Sequence, residues 1–184
     1  MRQTKKITLS SMACALGVAL MALGAFVEVL DLTVAAICSM IMMFVFIEIG
    51  SPYTFSVWIV TSILGFVFFP HSFVWVSYLL LFGIYPILKA YFEKLKRPFW
   101  IPVKLVFFIA VSAAMILVSE LVLGIPFFAT DELNIPFFEE NVKLFKGLVF
   151  LVLVAALFLY DVFMTVMARA YFSAFRDRIK KFLK

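Results

Sequence analysis

Residues Ser11 to Ala25 read SMACALGVALMALGA, an apolar run in which Ser11, Ala15, Ala19 and Ala22 stand four, four and three residues apart. At 3.6 residues per turn this spacing draws them into one narrow stripe of small side chains on a helix face. Extended to Ile7 and Val27, the run is long enough to cross a bilayer. In lipid there is little hydrophobic drive between helices, and association depends on the close backbone approach that small residues at i and i+4 permit. The stripe is therefore a docking surface. It serves either the chain's own neighbouring helices or a separate protein, and the sequence leaves both open.

The rest of the chain has the same character. Its 184 residues are 66% apolar and 18% aromatic, with 24 Phe and a mean hydropathy of +1.15, far above the roughly half-apolar make-up of a soluble domain. Such a chain has room for about six spans of about 20 residues and no separate soluble domain. The expected fold is a single all-α, polytopic membrane domain over residues 1–184, because only helices or closed barrels satisfy every backbone group in lipid and alternating strand patterns are absent. Expected spans cover 7–27, 32–50, 54–70, 72–92, 101–124 and 145–168. Glu28 with Asp31, Gly50-Ser51-Pro52, Pro70-His71-Ser72, the charged run from Glu93 to Pro98 and the polar, aromatic stretch after Gly124 separate them. The opening MRQTKK imitates a signal peptide, but the apolar run exceeds the usual h-region of about 7 to 15 residues, so an uncleaved first span is expected.

Charge sets the expected orientation. With both termini cytoplasmic, 14 of the 16 Lys and Arg lie inside, including Lys89, Lys94, Lys96, Arg97 and Lys104, and only Lys143 and Lys146 lie outside. The net charge of +5 is thus topological: the basic residues form no groove or arm, and nucleic acid is not an expected partner. The basic, aromatic tail from Ala170 points to anionic lipid at the inner face. The outer side is acidic, with Glu28, Asp31, Asp131, Glu132, Glu139 and Glu140. The last outer connection repeats Ile-Pro-Phe-Phe at 125–128 and 135–138, a pattern suited to a short amphipathic cap or an interfacial anchor.

Ionisable residues within spans carry functional hypotheses, since each costs several kcal/mol unless paired, hydrated or near an end. Glu48, close to the inner end of its span, reads as mainly structural. Glu120, about a turn below the outer end of the fifth span, is the first candidate for a ligand contact, with Glu28, Asp31, His71, Trp75, Tyr78, Asp131, Glu132 and Asn134 around the same outer mouth. The interfacial aromatic belt is the favoured account of Trp75. Asp161 is deeper. Arg169 lies eight residues along, about 12 Å on a helix, so a partner on another helix is expected. Cys14 and Cys38 read as buried, inert thiols, and with a single His no spacing supports a metal site. No nucleophile elbow, H-E-x-x-H, P-loop or Gly-rich dinucleotide turn is present, so the chain is not expected to be an enzyme or to bind a cofactor, and ATP-driven transport would need another subunit.

The Ala15-Leu16-Gly17-Val18-Ala19 motif, the termini on one inner side, the run from Ile47 to Phe69 with its tight Gly50-Ser51-Pro52 turn, and Phe82-Gly83-Ile84-Tyr85-Pro86 in the fourth span resemble the substrate-binding S components of energy-coupling factor (ECF) transporters. The resemblance implies a subunit of the bacterial cell membrane that captures a small-molecule substrate, a vitamin or similar micronutrient, near the outer face. It implies docking through Ala15 and Ala19 on a transmembrane coupling subunit, where two ATPases drive a toppling motion. Glu28, Asp31, His71 and the stretch 131–140 would border the substrate, and the acidic mouth favours a cationic or zwitterionic one. The connection from Glu28 to Thr33 is short for that family, which weakens its part in a lid. An accessory or scaffolding protein that binds a partner through the same face of the first helix is the alternative.

Overall fold

The computed structural model describes residues 3–27, 30–94, 97–124 and 142–175. All of its regular structure is helical: α1 (Gln3–Phe26), α2 (Asp31–Ile49), α3 (Ser51–Phe68), α4 (Phe73–Ser77), a π-helical turn (Tyr78–Phe82), α5 (Tyr85–Phe92), α6 (Arg97–Val118), a second π turn (Ser119–Leu123), α7 (Val142–Ala170) and a third (Tyr171–Phe175). Among the described residues, six stretches are long and apolar enough to cross a membrane, the fourth being Phe73–Phe92, the fifth Trp100–Leu123 and the sixth Leu144–Ser173. The chain is an all-α, multi-pass membrane protein, as its composition requires. Its turns follow local chemistry. Gly50 joins α2 to α3 without a loop at φ 100°, a conformation that favours glycine, and Pro52 occupies the first turn of α3 where its missing N–H has no intrahelical partner to lose. The expected cap at 125–138 and most of the basic tail lie outside the described residues.

Side-chain contacts show the spans alternating in direction. On α1 and α2, Gly24 is level with Val34 and the Cys38 thiol reaches the Gly17 carbonyl at 3.6 Å, so the two helices are antiparallel. On α1 and α3, Lys6 stands over the Tyr53 ring, Gly17 faces Thr61 and Met21 faces Gly65, so these two are parallel. Trp58 donates to the Leu79 carbonyl at 3.2 Å, and Ser39 meets Met164, continuing the alternation through the fourth and sixth spans. Six crossings return the chain to the side on which α1 begins, called here the terminal end; the other is the distal end.

The stripe of α1 that packs is not the expected one. Ala13, Gly17, Met21 and Gly24 are buried, whereas Ser11, Ala15 and Ala19 are exposed and Ala22 is half-buried. Each packed position lies two residues beyond an expected one, a rotation of about 200°, so the two stripes occupy opposite sides of the helix. The glycines explain the choice. A Cβ on Gly17 would stand 3.1 Å from Thr61 Cγ2, and one on Gly24 would stand 3.1 Å from Val74 Cγ2. Only a residue with no side chain lets neighbouring helices approach so closely.

The fourth span is the most enclosed of the six, with 67% of its apolar stretch buried against 22–39% for the other five. Within it the Tyr78 carbonyl accepts from the Gly83 N–H at 2.8 Å, a wide turn that shifts the register of the residues that follow. The turn needs Gly83 for space: a Cβ there would lie 2.4 Å from Trp58 Cδ1 and 2.9 Å from the Tyr78 carbonyl oxygen. Gly83→Ala is therefore expected to destabilise the protein by about 1–3 kcal/mol through overpacking. Gly147→Ala on α7, where a Cβ meets nothing within 4 Å, is expected to stay within about 1 kcal/mol of the parent. Thermal unfolding of the two variants in detergent checks the contrast, and equal midpoints would disprove the spatial account of Gly83.

Candidate functional site

Of the residues expected at an outer mouth, those that the structure describes do not converge on one surface. Glu28, Asp131, Glu132 and Asn134 lie outside the described residues. Asp31 is buried in the first turn of α2, where the positive end of the helix dipole favours a carboxylate. His71 is exposed in the turn before α4. Trp75 is not a belt residue: it is 8% exposed, donates its indole N–H to the Pro70 carbonyl at 3.1 Å and meets the Phe66 ring edge-on at 5.1 Å. Tyr78 is fully buried beside Thr61, with Cys14 and Cys38 nearby. Glu120 is exposed on the distal π turn while Trp75 and Tyr78 are enclosed, so the three share no common surface. At the terminal end Glu48 is half-buried and accepts from the Tyr171 hydroxyl at 2.8 Å, in keeping with a structural role.

Asp161 does find partners on other helices, and they build the most polar site among the described residues. α7 carries Asp161 and, one turn on, Thr165. The π turn and α5 bring Tyr85 and Lys89 onto the facing side of the fourth span, Glu93 follows at the end of α5, and α6 adds Lys104. One Asp161 oxygen, Oδ1, accepts from the Tyr85 hydroxyl at 2.6 Å and from Lys89, while Oδ2 accepts from Lys104 at 2.8 Å. Lys89 Nζ also donates to the Asp161 carbonyl at 3.0 Å and to Thr165 Oγ1 at 2.8 Å, and lies 3.1 Å from Glu93 Oε1. Lys104 Nζ stands 3.7 Å from the same Glu93 oxygen and 4.4 Å from the centre of the Trp100 ring.

Comparison with protein families, with curated proteins and with solved structures finds no match. The site must therefore be understood from its own chemistry.

Two ammonium groups and two carboxylates make a neutral set, and burial explains why it is closed. Lys104 and Lys89 side chains are 1% and 9% exposed and Asp161 is 9% exposed, so each charge has exchanged water for a charged partner; Glu93, at 43%, is the one member open to solvent. A buried ion is tolerable only with such pairing and with its remaining hydrogen-bonding capacity filled. On the distal side the cluster is roofed by rings: Tyr85 lies 5.5 Å from Tyr160 and 5.4 Å from Phe108, Phe82 meets Tyr160 at 5.0 Å, and Phe108 meets Phe158 at 5.1 Å. Among the described residues no group of three or more His, Cys, Asp or Glu could hold a metal.

Lys89, Lys104, Tyr85, Glu93 and Thr165 were not singled out as a site by the sequence, which placed both lysines among the cytoplasmic cations. One signal was present. Lys104, Phe108, Ser112, Met115 and Ser119 recur at spacings of four, four, three and four, and all five are buried on one face. Because each charge here balances another, Asp161→Asn alone is expected to cost about 3–5 kcal/mol, the penalty for stranding a buried charge. Adding Lys104→Met restores neutrality and is expected to recover more than half of that loss. Unfolding midpoints of the single and double variants decide it, and a double variant no more stable than Asp161→Asn would refute charge balance as the organising feature.

Proposed function

We propose that the chain is the substrate-binding membrane subunit of an importer of the ECF type, capturing a small micronutrient at its outer face and delivering it when docked on a transmembrane coupling subunit powered by two ATPases. The observation that carries this reading is the two-sidedness of α1. One stripe, Ala13, Gly17, Met21 and Gly24, packs into the bundle, and the opposite stripe of small residues, Ser11, Ala15 and Ala19, is left facing outward. A helix needs one narrow face to join its own bundle, and a second one of the same kind suits a second helix. The six spans support it further, with the residues that resemble the family, Ala15 to Ala19 and Phe82 to Pro86, in the first and fourth of them.

The outward placement makes the reading testable without damage to the fold. Ala15→Trp with Ala19→Trp is expected to leave the unfolding midpoint unchanged, while abolishing co-purification with a co-expressed coupling subunit and its ATPases. Gly17→Trp, on the packed side, is expected to lose the fold itself. A folded double-Trp variant that still forms a stoichiometric complex would sink the proposal. A partner without cargo would use the same face, and a small molecule retained by the purified wild-type chain separates the two.

A further inference from the structure

We propose that the Asp161 cluster is a latch that closes the terminal end of spans four, five and six and releases from the aqueous side through Glu93. The inference does not depend on the importer reading, because it concerns the isolated chain. Three observations lead to it. First, the two halves of the bundle are joined by different means. Spans one to three approach through Gly17, Gly24 and Gly65, each with a neighbour within about van der Waals contact of an added Cβ, whereas Gly147, the sole glycine of α7, meets nothing within 4 Å. Spans five and six are instead held apart by rings such as Phe108 and Phe158, and tied by Lys104 to Asp161. Close-packed small residues cannot be replaced by water, but an ion pair can exchange its partners for water and later recover them.

Second, access to the cluster is one-sided. The rings of Phe82, Tyr85, Phe108 and Tyr160 cover its distal side, and Glu93, with a side chain 43% exposed, faces solvent. Glu93 touches both lysines, so its departure loosens both at once. Third, the interior beyond the roof is prepared to meet a polar guest. Ser112 is fully buried two turns beyond Lys104 on the same face, and its Oγ has no hydrogen-bond partner among the described residues. Leaving a buried hydroxyl unpaired is unfavourable, a cost that entry of water or a polar solute relieves. Every span that meets the cluster contributes to its closure: Tyr85, Lys89 and Glu93 from the fourth and its end, Lys104 and Trp100 from the fifth, Asp161 and Thr165 from the sixth.

The test places a thiol behind the latch. Ser112→Cys is treated with a water-soluble maleimide in detergent, and labelling is read by peptide mass spectrometry, with native Cys38, buried between α1 and α2, as an internal control for unfolding. With the latch intact, position 112 is expected to label as slowly as Cys38. Asp161→Asn is expected to raise labelling at 112 at least tenfold with Cys38 unchanged, and Glu93→Gln to raise it several-fold. Rapid labelling with the latch intact would overturn the seal. If Asp161→Asn exposes Cys38 as well, the protein has unfolded and Glu93→Gln decides: no rise at 112 overturns the proposal. A rise with Asp161→Asn and none with Glu93→Gln overturns release through Glu93, and no rise in either folded variant overturns the latch.

Discussion

Helices in lipid gain little from burying apolar side chains against one another, because the acyl chains they displace are just as apolar. Association has to come from dispersion at close range or from polar groups that lipid cannot satisfy. This protein uses both, in different places. The first three spans meet through Gly17, Gly24 and Gly65, where an added methyl group would collide with Thr61, Val74 or Met21. The last three meet through Asp161 and its two lysines under a roof of aromatic rings. The same apolar composition thus supports two kinds of joint, one a matter of volume and the other of charge.

The fourth span belongs to both. Its distal half gives Trp75 and Val74 to the glycine-packed side, and its terminal half gives Tyr85 and Lys89 to the ion cluster. A continuous α-helix repeats its faces every 3.6 residues. The π turn at Tyr78–Phe82 interrupts that repeat, so the residues beyond Gly83 present a different side. Trp58 packs into the space that Gly83 leaves and bonds the Leu79 carbonyl, which fixes the turn from the α3 side. The register of the charged residues therefore depends on a packing contact in the other half.

Much of this was legible in the sequence, and the exceptions have physical causes. The spans announced themselves because backbone satisfaction in lipid leaves few alternatives to a long apolar helix. The stripe on α1 was found by periodicity, yet periodicity cannot say which of two small-residue faces points inward. Ala15 and Ala19 repeat as regularly as Ala13 and Gly17, and the neighbours that select the latter, Thr61 and Val74, lie far along the chain. Asp161 was legible as a charge in need of a partner on another helix, because burial without pairing is prohibitive. Its partners were not, since a lysine near the end of a span reads equally well as a loop cation or as a buried ion. The ligand set expected around the outer mouth drew on nearness in sequence to that end, and Trp75 and Tyr78 turned inward to fill space instead.

Burying Lys89 and Lys104, which the sequence counts among the cytoplasmic cations, also bears on how the chain enters the membrane. Positive-inside orientation counts cations that stay in water beside the spans, and without these two the expected bias is 12 against 2. The expected orientation survives their loss. What they supply is local: with Glu93 and Asp161 they form a set of zero net charge, with Glu93 and Lys89 a turn apart at the end of α5 and Lys104 within the first two turns of α6. A charge near a span end reaches the interface at lower cost than one at mid-depth. Asp161 is the member most distant from an end of its helix, and it alone accepts from three donors. The charge farthest from a helix end has the most complete set of partners, which is the arrangement that lets a deep carboxylate persist in a bundle otherwise built of hydrocarbon.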